Sequence, residues 1–118
     1  LDQQLMVLLN SDRAAANLAP LAWDACLASV ASRNAQRVAA QGYASPGDGP
    51  ARDLACDPDL HHSAENMAYW STANAVQLNA ILMANPVQRQ NILGRFDHVG
   101  AAWAVSSAGM DFLVVEFC

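Results

Sequence analysis

The residues best equipped for chemistry are His61-His62-Ser63-Ala64-Glu65. A neutral imidazole can ligate zinc or shuttle a proton near neutral pH, and a carboxylate can supply a second ligand or a base. Adjacent histidines in an extended segment point in opposite directions, so at most one of His61 and His62 can share a side with Glu65. A catalytic zinc wants about three protein ligands, and this cluster supplies two. Exposed loop histidines need no function, and that reading carries more weight here than a ligand role. His98, after Asp97 at the start of a strand-like segment, reads as a surface or hydrogen-bonding residue. Glu65 and Glu116 are the only glutamates. If buried, Glu65 needs partners such as Asn66, Gln88 or a histidine, because an unpaired interior ion is costly. Glu116 alternates with apolar neighbours and is expected to pair with an arginine.

Cys26, Cys56 and Cys118 are too widely spaced for a CxxC metal or redox motif. In an oxidising compartment they allow one disulfide and one free thiol, with three pairings open. A bridge involving Cys118 is preferred, since it would limit fraying of the chain end. A catalytic thiol is disfavoured, because no cysteine adjoins a histidine in sequence; Cys56, five residues before His61, comes nearest.

The elements that position these groups follow from composition and periodicity. The 118 residues suffice for one domain, 1–118, and 53% apolar against 14% charged residues supply a core. No apolar run is long enough to span a bilayer. Six arginines, no lysine and a net charge of −5 argue against a nucleic-acid footprint and against an anionic membrane surface. The chain begins at Leu1 without an initiator methionine, so a processed or trimmed product is expected.

Leu5, Leu8 and Leu9 set a helical period over residues 2–16. Asp24 is a good N-cap for a second helix with Leu27, Val30, Ala31, Asn34 and Val38 on one face, stopped at Gly42. Residues 43–59 read as a long loop with a short helical turn near 51–55. A strand is expected over 66–70, then a helix capped by Ser71 or Thr72 and ending before Pro86. Pro86 opens a short helical turn carrying Gln88. Core packing is the reading for Val76, Ile81 and Met83, and for Trp23, Trp70 and Trp103. In the last quarter, 99–105 alternates, 106–109 turns, and 110–117 is apolar on both faces, as in a strand sandwiched between layers. The fold class read from this order is α+β: a three-layer α-β-α sandwich with a central antiparallel sheet.

Four separated segments also resemble one family. These are Leu9-Asn10 with Arg13 and Leu21-Ala22-Trp23-Asp24, then Ala64-Glu65-Asn66-Met67-Ala68, then the stretch from Asn85-Pro86-Val87-Gln88 through Arg89-Gln90-Asn91-Ile92-Leu93, and last Phe96-Asp97-His98-Val99-Gly100. In order and spacing they are similar to the CAP superfamily of cysteine-rich secretory, antigen 5 and pathogenesis-related 1 proteins, most closely its short bacterial members. The resemblance implies an extracytoplasmic setting, and a cleft in which two histidines and two acids can hold a divalent metal. Glu65 matches one acid. Gln88 stands where a histidine belongs, and Gly42-Tyr43-Ala44-Ser45 runs into Pro46 where the other should follow. Asp48 and Asp53 are the nearest candidates for the second acid. A glutamine amide offers hydrogen bonds but neither imidazole ligation nor proton transfer.

The expected function is therefore a secreted or cell-envelope domain that works by binding, without a cofactor. Its ligand would be a lipid, another small apolar molecule or a protein partner, with Glu65, Gln88, His61 or His62, and Ser45 around the cleft. The alternative is a metal-dependent, hydrolase-like member using a rearranged His61/His62–Glu65 site.

Overall fold

The structure is a computed structural model and describes residues 2–56, 62–71 and 74–118. His61 and Thr72 lie outside the described residues. The element order is α1 (Asp2–Ala15), β1 (Ala22–Trp23), α2 (Ala25–Gln41), α3 (Gly49–Cys56), β2 (Ala64–Ser71), α4 (Ala75–Ala84), α5 (Pro86–Ile92), β3 (His98–Val105) and β4 (Met110–Phe117).

The four strands lie in the order β1-β3-β4-β2. β2 and β3 both run antiparallel to β4, whereas the two-residue β1 pairs parallel to β3 through Ala22↔His98 and Trp23↔Val99. The sheet is thus antiparallel except at this short edge. β4 is central, and its alternate side chains serve two cores. Leu113, Val115 and Phe117 meet Leu5 and Leu9 of α1, Leu78 and Leu82 of α4, and Ile92 of α5. Phe112 and Val114 meet Ala31, Ala35, Val38 and Ala39 of α2. A strand buried on both faces in this way favours consecutive apolar residues, as at Phe112, Leu113, Val114 and Val115.

The helix ends obey local chemistry. The Asp24 carboxylate accepts from the Cys26 and Leu27 backbone N–H groups, and Gly42 closes α2 in a left-handed conformation, φ 88°. Six residues, 43–48, connect that cap to α3, and the connection is tied down early: Arg37 donates to the Ser45 hydroxyl and carbonyl, and Gln41 Nε2 donates to the same hydroxyl. The cap of α4 is Asn74, which forms a reciprocal capping box with Gln77, not Ser71, which lies within β2. Asn85 caps α5, with Pro86 in its first turn. Gly100 lets α2 lie close on β3, since a Cβ there would collide with the Leu27 and Ala28 backbone. Arg13 is buried and donates to the carbonyls of Ala19, Ile92, Gly94 and Phe96, stitching the end of α1 to the segment between α5 and β3.

Three expectations change. The disulfide is Cys26–Cys56, joining the start of α2 to the end of α3, and Cys118 is buried and takes no part in that bridge. The chain end needs no covalent staple, because the Cys118 carbonyl accepts from the Asp97 and His98 N–H groups and its own N–H donates to His98. Trp70 is exposed on the outer part of β2, and Trp23 is also on the surface; only Trp103 packs against the core. Val76 faces outward, while Ile81 and Met83 pack against the core.

Candidate functional site

Strand register assembles the site. Glu65 of β2 stands directly opposite Glu116 of β4, and Glu116 in turn lies opposite Gly100 of β3. Because neighbours along β4 alternate, Glu116 projects toward the side of Phe112 and Val114, away from Phe117. On that side α3 closes over the pair. A Cβ on Gly49 would collide with both the Glu65 and Glu116 carboxyl groups, and Asp53, one turn further along α3, is buried beside them. The Cys118 thiol donates to the Asp53 backbone carbonyl at 3.5 Å.

The result is three carboxyl groups from three elements, two of them fully buried. Among the described residues, Asp53 Oδ1 and Oδ2, Glu65 Oε2 and both Glu116 oxygens are buried without a donor if all three groups are ionised. Protonation removes that conflict. Burial above all, then the hydrogen bond to Glu65 and the charges of Glu65, Asp53 and Cys118, push the Glu116 carboxyl up to about 12. Burial and then the Glu65 charge push Asp53 up to about 8. At neutral pH Glu116 therefore carries a proton, which it can donate to Glu65. Among the described residues the groups acting on Glu116 are Glu65, Asp53 and Cys118, not the expected arginine.

Gln88 sits at the free edge of β2, next to Glu65 along the strand. Its side-chain Oε1 accepts the Met67 N–H at 2.9 Å, and its backbone carbonyl accepts from Asn66 Nδ2 at 2.9 Å. Asn91 of the same helix donates to Asn66 Oδ1 at 2.8 Å and reaches the Glu65 carbonyl at 3.5 Å. One face of α5 thus imitates a neighbouring strand and satisfies backbone groups that an edge strand leaves open. His62 is drawn to the other side: its ring stacks on Phe96, centroids 4.9 Å apart, and Phe96 packs on Phe117. Ser45 is spent on Arg37 and Gln41.

Of the residues singled out in the sequence, the fold brings Glu65 and Gln88 to neighbouring places on β2 and separates His62 from the carboxyl cluster by the sheet. Asp53, one of two candidates for a second acid, joins the cluster. Asp48 does not; it is exposed and paired with Arg52. Glu116 escaped sequence reasoning as a site residue. The available signal was an acid set directly between apolar residues, Val115 and Phe117, near the end of β4.

A divalent metal does not fit this donor set. Gln88 Oε1 is occupied by Met67, and among the described residues no group of three or more His, Cys, Asp or Glu is placed to hold a metal ion.

Beyond the site, the fold has well-defined relatives. It is similar to an outer surface protein of Borrelia burgdorferi, TM-score 0.84 at 18% identity, covering 98% of this chain and 89% of that one. It is also similar to an extracellular protein containing a SCP domain from Bacillus anthracis, TM-score 0.81 at 25% identity, covering 98% of this chain but 39% of that one. Venom allergen-like protein 4 of Schistosoma mansoni superposes with TM-score 0.79 at 10% identity, covering 99% and 86%. No curated protein sequence matches the chain. The family model for the Cysteine-rich secretory protein family, CAP, matches residues 7–117, and with that match and this α-β-α architecture the chain belongs to the CAP family.

Proposed function

We propose that this CAP domain works outside the cytoplasm as a binding domain for a small apolar ligand, and not as a metal-dependent hydrolase. The observation that carries the reading is the use of the cleft side chains as structural parts: Gln88 Oε1 is committed to the Met67 N–H, and Glu65 faces protonated Glu116. Neither is left to polarise a substrate or hold an ion. The Cys26–Cys56 disulfide and the extracellular and outer-surface descriptions of the structural relatives support the extracytoplasmic setting. No described helix is long and apolar enough to cross a membrane.

A groove beyond the carboxyl cluster suits such a ligand. It has a volume of about 310 Å3 and is bounded by Tyr43 and Ala44 after α2, Tyr69 on β2, and Met110 and Phe112 on β4. Tyr43 and Tyr69 are 62% and 52% exposed, and the Tyr69 ring tilts against Phe112 at 5.7 Å. Apolar walls with two tyrosine hydroxyls at hand suit a small, mostly apolar molecule with a polar end.

Two titrations test the proposal. N-phenyl-1-naphthylamine, a neutral apolar fluorophore, should bind saturably to the wild type and lose that binding in Tyr43→Ala/Tyr69→Ala with circular dichroism unchanged. Binding that survives the double substitution, or none in the wild type, would overturn the groove. Zinc chloride titrated by calorimetry should give no site-specific heat; micromolar binding abolished by Glu65→Ala would restore the metal-dependent alternative.

A further inference from the structure

Helix α3 is held on the sheet in an unusual way. Its only buried residues are Gly49 and Asp53, so no large apolar side chain anchors it. Ala51, Arg52, Leu54 and Ala55 all face outward. The surface it covers is formed by the Glu65 and Glu116 carboxyl groups, and Asp53 adds a third acid to the same space. Between α3 and α2 lies an open groove of about 250 Å3, lined by Cys26, Ser29, Val30, Arg33, Arg52 and Ala55. Among the described residues, hydrogen bonds that tie α3 to other elements include the Ser63 hydroxyl donating to the Pro50 carbonyl and the Cys118 thiol donating to the Asp53 carbonyl. Both are neutral hydrogen bonds, modest in their net contribution. The Arg52–Asp48 pair lies within the segment and holds α3 to nothing else.

Against these weak ties stands one covalent bond. Cys56, the last residue of α3, is joined to Cys26 in the first turn of α2, and α2 is fixed by its own apolar face and by close contact with β3 at Gly100. We infer that α3 is a redox-released roof: the Cys26–Cys56 disulfide latches it over the Glu65–Glu116 carboxyl pair, and reduction by a thiol lets it swing away and exposes that pair to solvent. The step balances as ordinary thiol–disulfide exchange. Two equivalents of a thiol reductant form their own disulfide while Cys26 and Cys56 each gain a hydrogen. The two core clusters on either side of the sheet contain no α3 residue, so both keep their members when the roof opens.

Hydrogen exchange and carboxyl footprinting on the whole chain, oxidised and reduced, test this directly. Reduction with a phosphine should speed amide exchange in residues 50–56 at least tenfold while β3 and β4 keep their protection. Carbodiimide-driven labelling of Glu116 should rise in parallel. The Cys26→Ser/Cys56→Ser variant should show the same pattern without reductant. Unchanged exchange in 50–56 would mean that packing alone holds α3. Equal acceleration through β3 and β4 would make the disulfide a staple of the whole fold. Faster α3 exchange with Glu116 still unlabelled would mean that α3 is not the roof of the pair. Each of these three outcomes overturns the inference.

Discussion

Gln88 Oε1 accepts the Met67 backbone N–H at 2.9 Å, so this side chain closes the open edge of β2. The same helix turn supplies the Gln88 carbonyl to Asn66 and the Asn91 amide to Asn66 Oδ1. The Gln88 amide oxygen is thereby committed to a backbone contact.

That contact predicts a selective cost. Gln88→Ala should lower unfolding free energy by about 0.5–1.5 kcal/mol, the net value of a hydrogen bond whose backbone donor then loses its partner. Gln88→Glu keeps an acceptor oxygen and should lose less at pH 7. Urea denaturation of the three proteins decides; equal stability of Gln88→Ala and wild type would remove the edge-closing role.

The carboxyl cluster predicts stability that declines with rising pH. Asp53 and Glu116 are raised in the folded protein to about 8 and about 12, above their ordinary carboxylic values of 3.8 and 4.5. Groups raised in this way contribute no penalty below the unfolded values. Above them the folded state binds more protons than the unfolded one, so stability falls as pH rises. For Asp53 the loss runs from about 4 to about 8; for Glu116 it continues toward about 12. Calorimetric melting temperature should therefore drop steadily from pH 5 to pH 9. Asp53→Asn should flatten the part of this slope below pH 8 and stabilise the protein at pH 8 by at least about 1.4 kcal/mol, one pKa unit's equivalent.

Arg13 should be among the least replaceable polar residues. It is 3% exposed, and its guanidinium serves four backbone carbonyls. Arg13→Lys keeps the charge but loses the planar fork, and Arg13→Ala leaves the carbonyls without donors. Destabilisation of about 3–5 kcal/mol is expected for alanine, as for other broken buried charge networks. Chemical denaturation measures it, and a loss below about 1 kcal/mol would show that water replaces the guanidinium.

Thiol accessibility should follow the pairing. Intact mass after alkylation without reductant should show no adduct on the native protein and one adduct, at Cys118, after denaturation, since that thiol is buried and the other two are bridged. Rapid alkylation of native Cys118 would contradict its burial.

The local elements were legible because they depend on neighbours in the chain. Asp24 and Gly42 bound α2 through capping chemistry, Pro86 starts α5, and the consecutive apolar residues 112–115 of β4 imply cover on both faces. Those signals, with the family resemblance, were enough to define the layered architecture. What the sequence could not carry was register and pairing across long separations. Fifty-one positions of chain separate Glu65 from Glu116, and only the antiparallel register of β2 on β4 sets one opposite the other. Likewise, three cysteines permit three bridges, and only the docking of α3 against α2 selects Cys26–Cys56 and leaves Cys118 to the backbone bonds at the end of β4. His62 and Glu65 are three residues apart, yet one ring lies on Phe96 while the other side chain meets Glu116 across the sheet. Sequence determines which groups exist and how the nearby backbone turns. The alternation of strand faces and the packing of helices on them decide which groups meet.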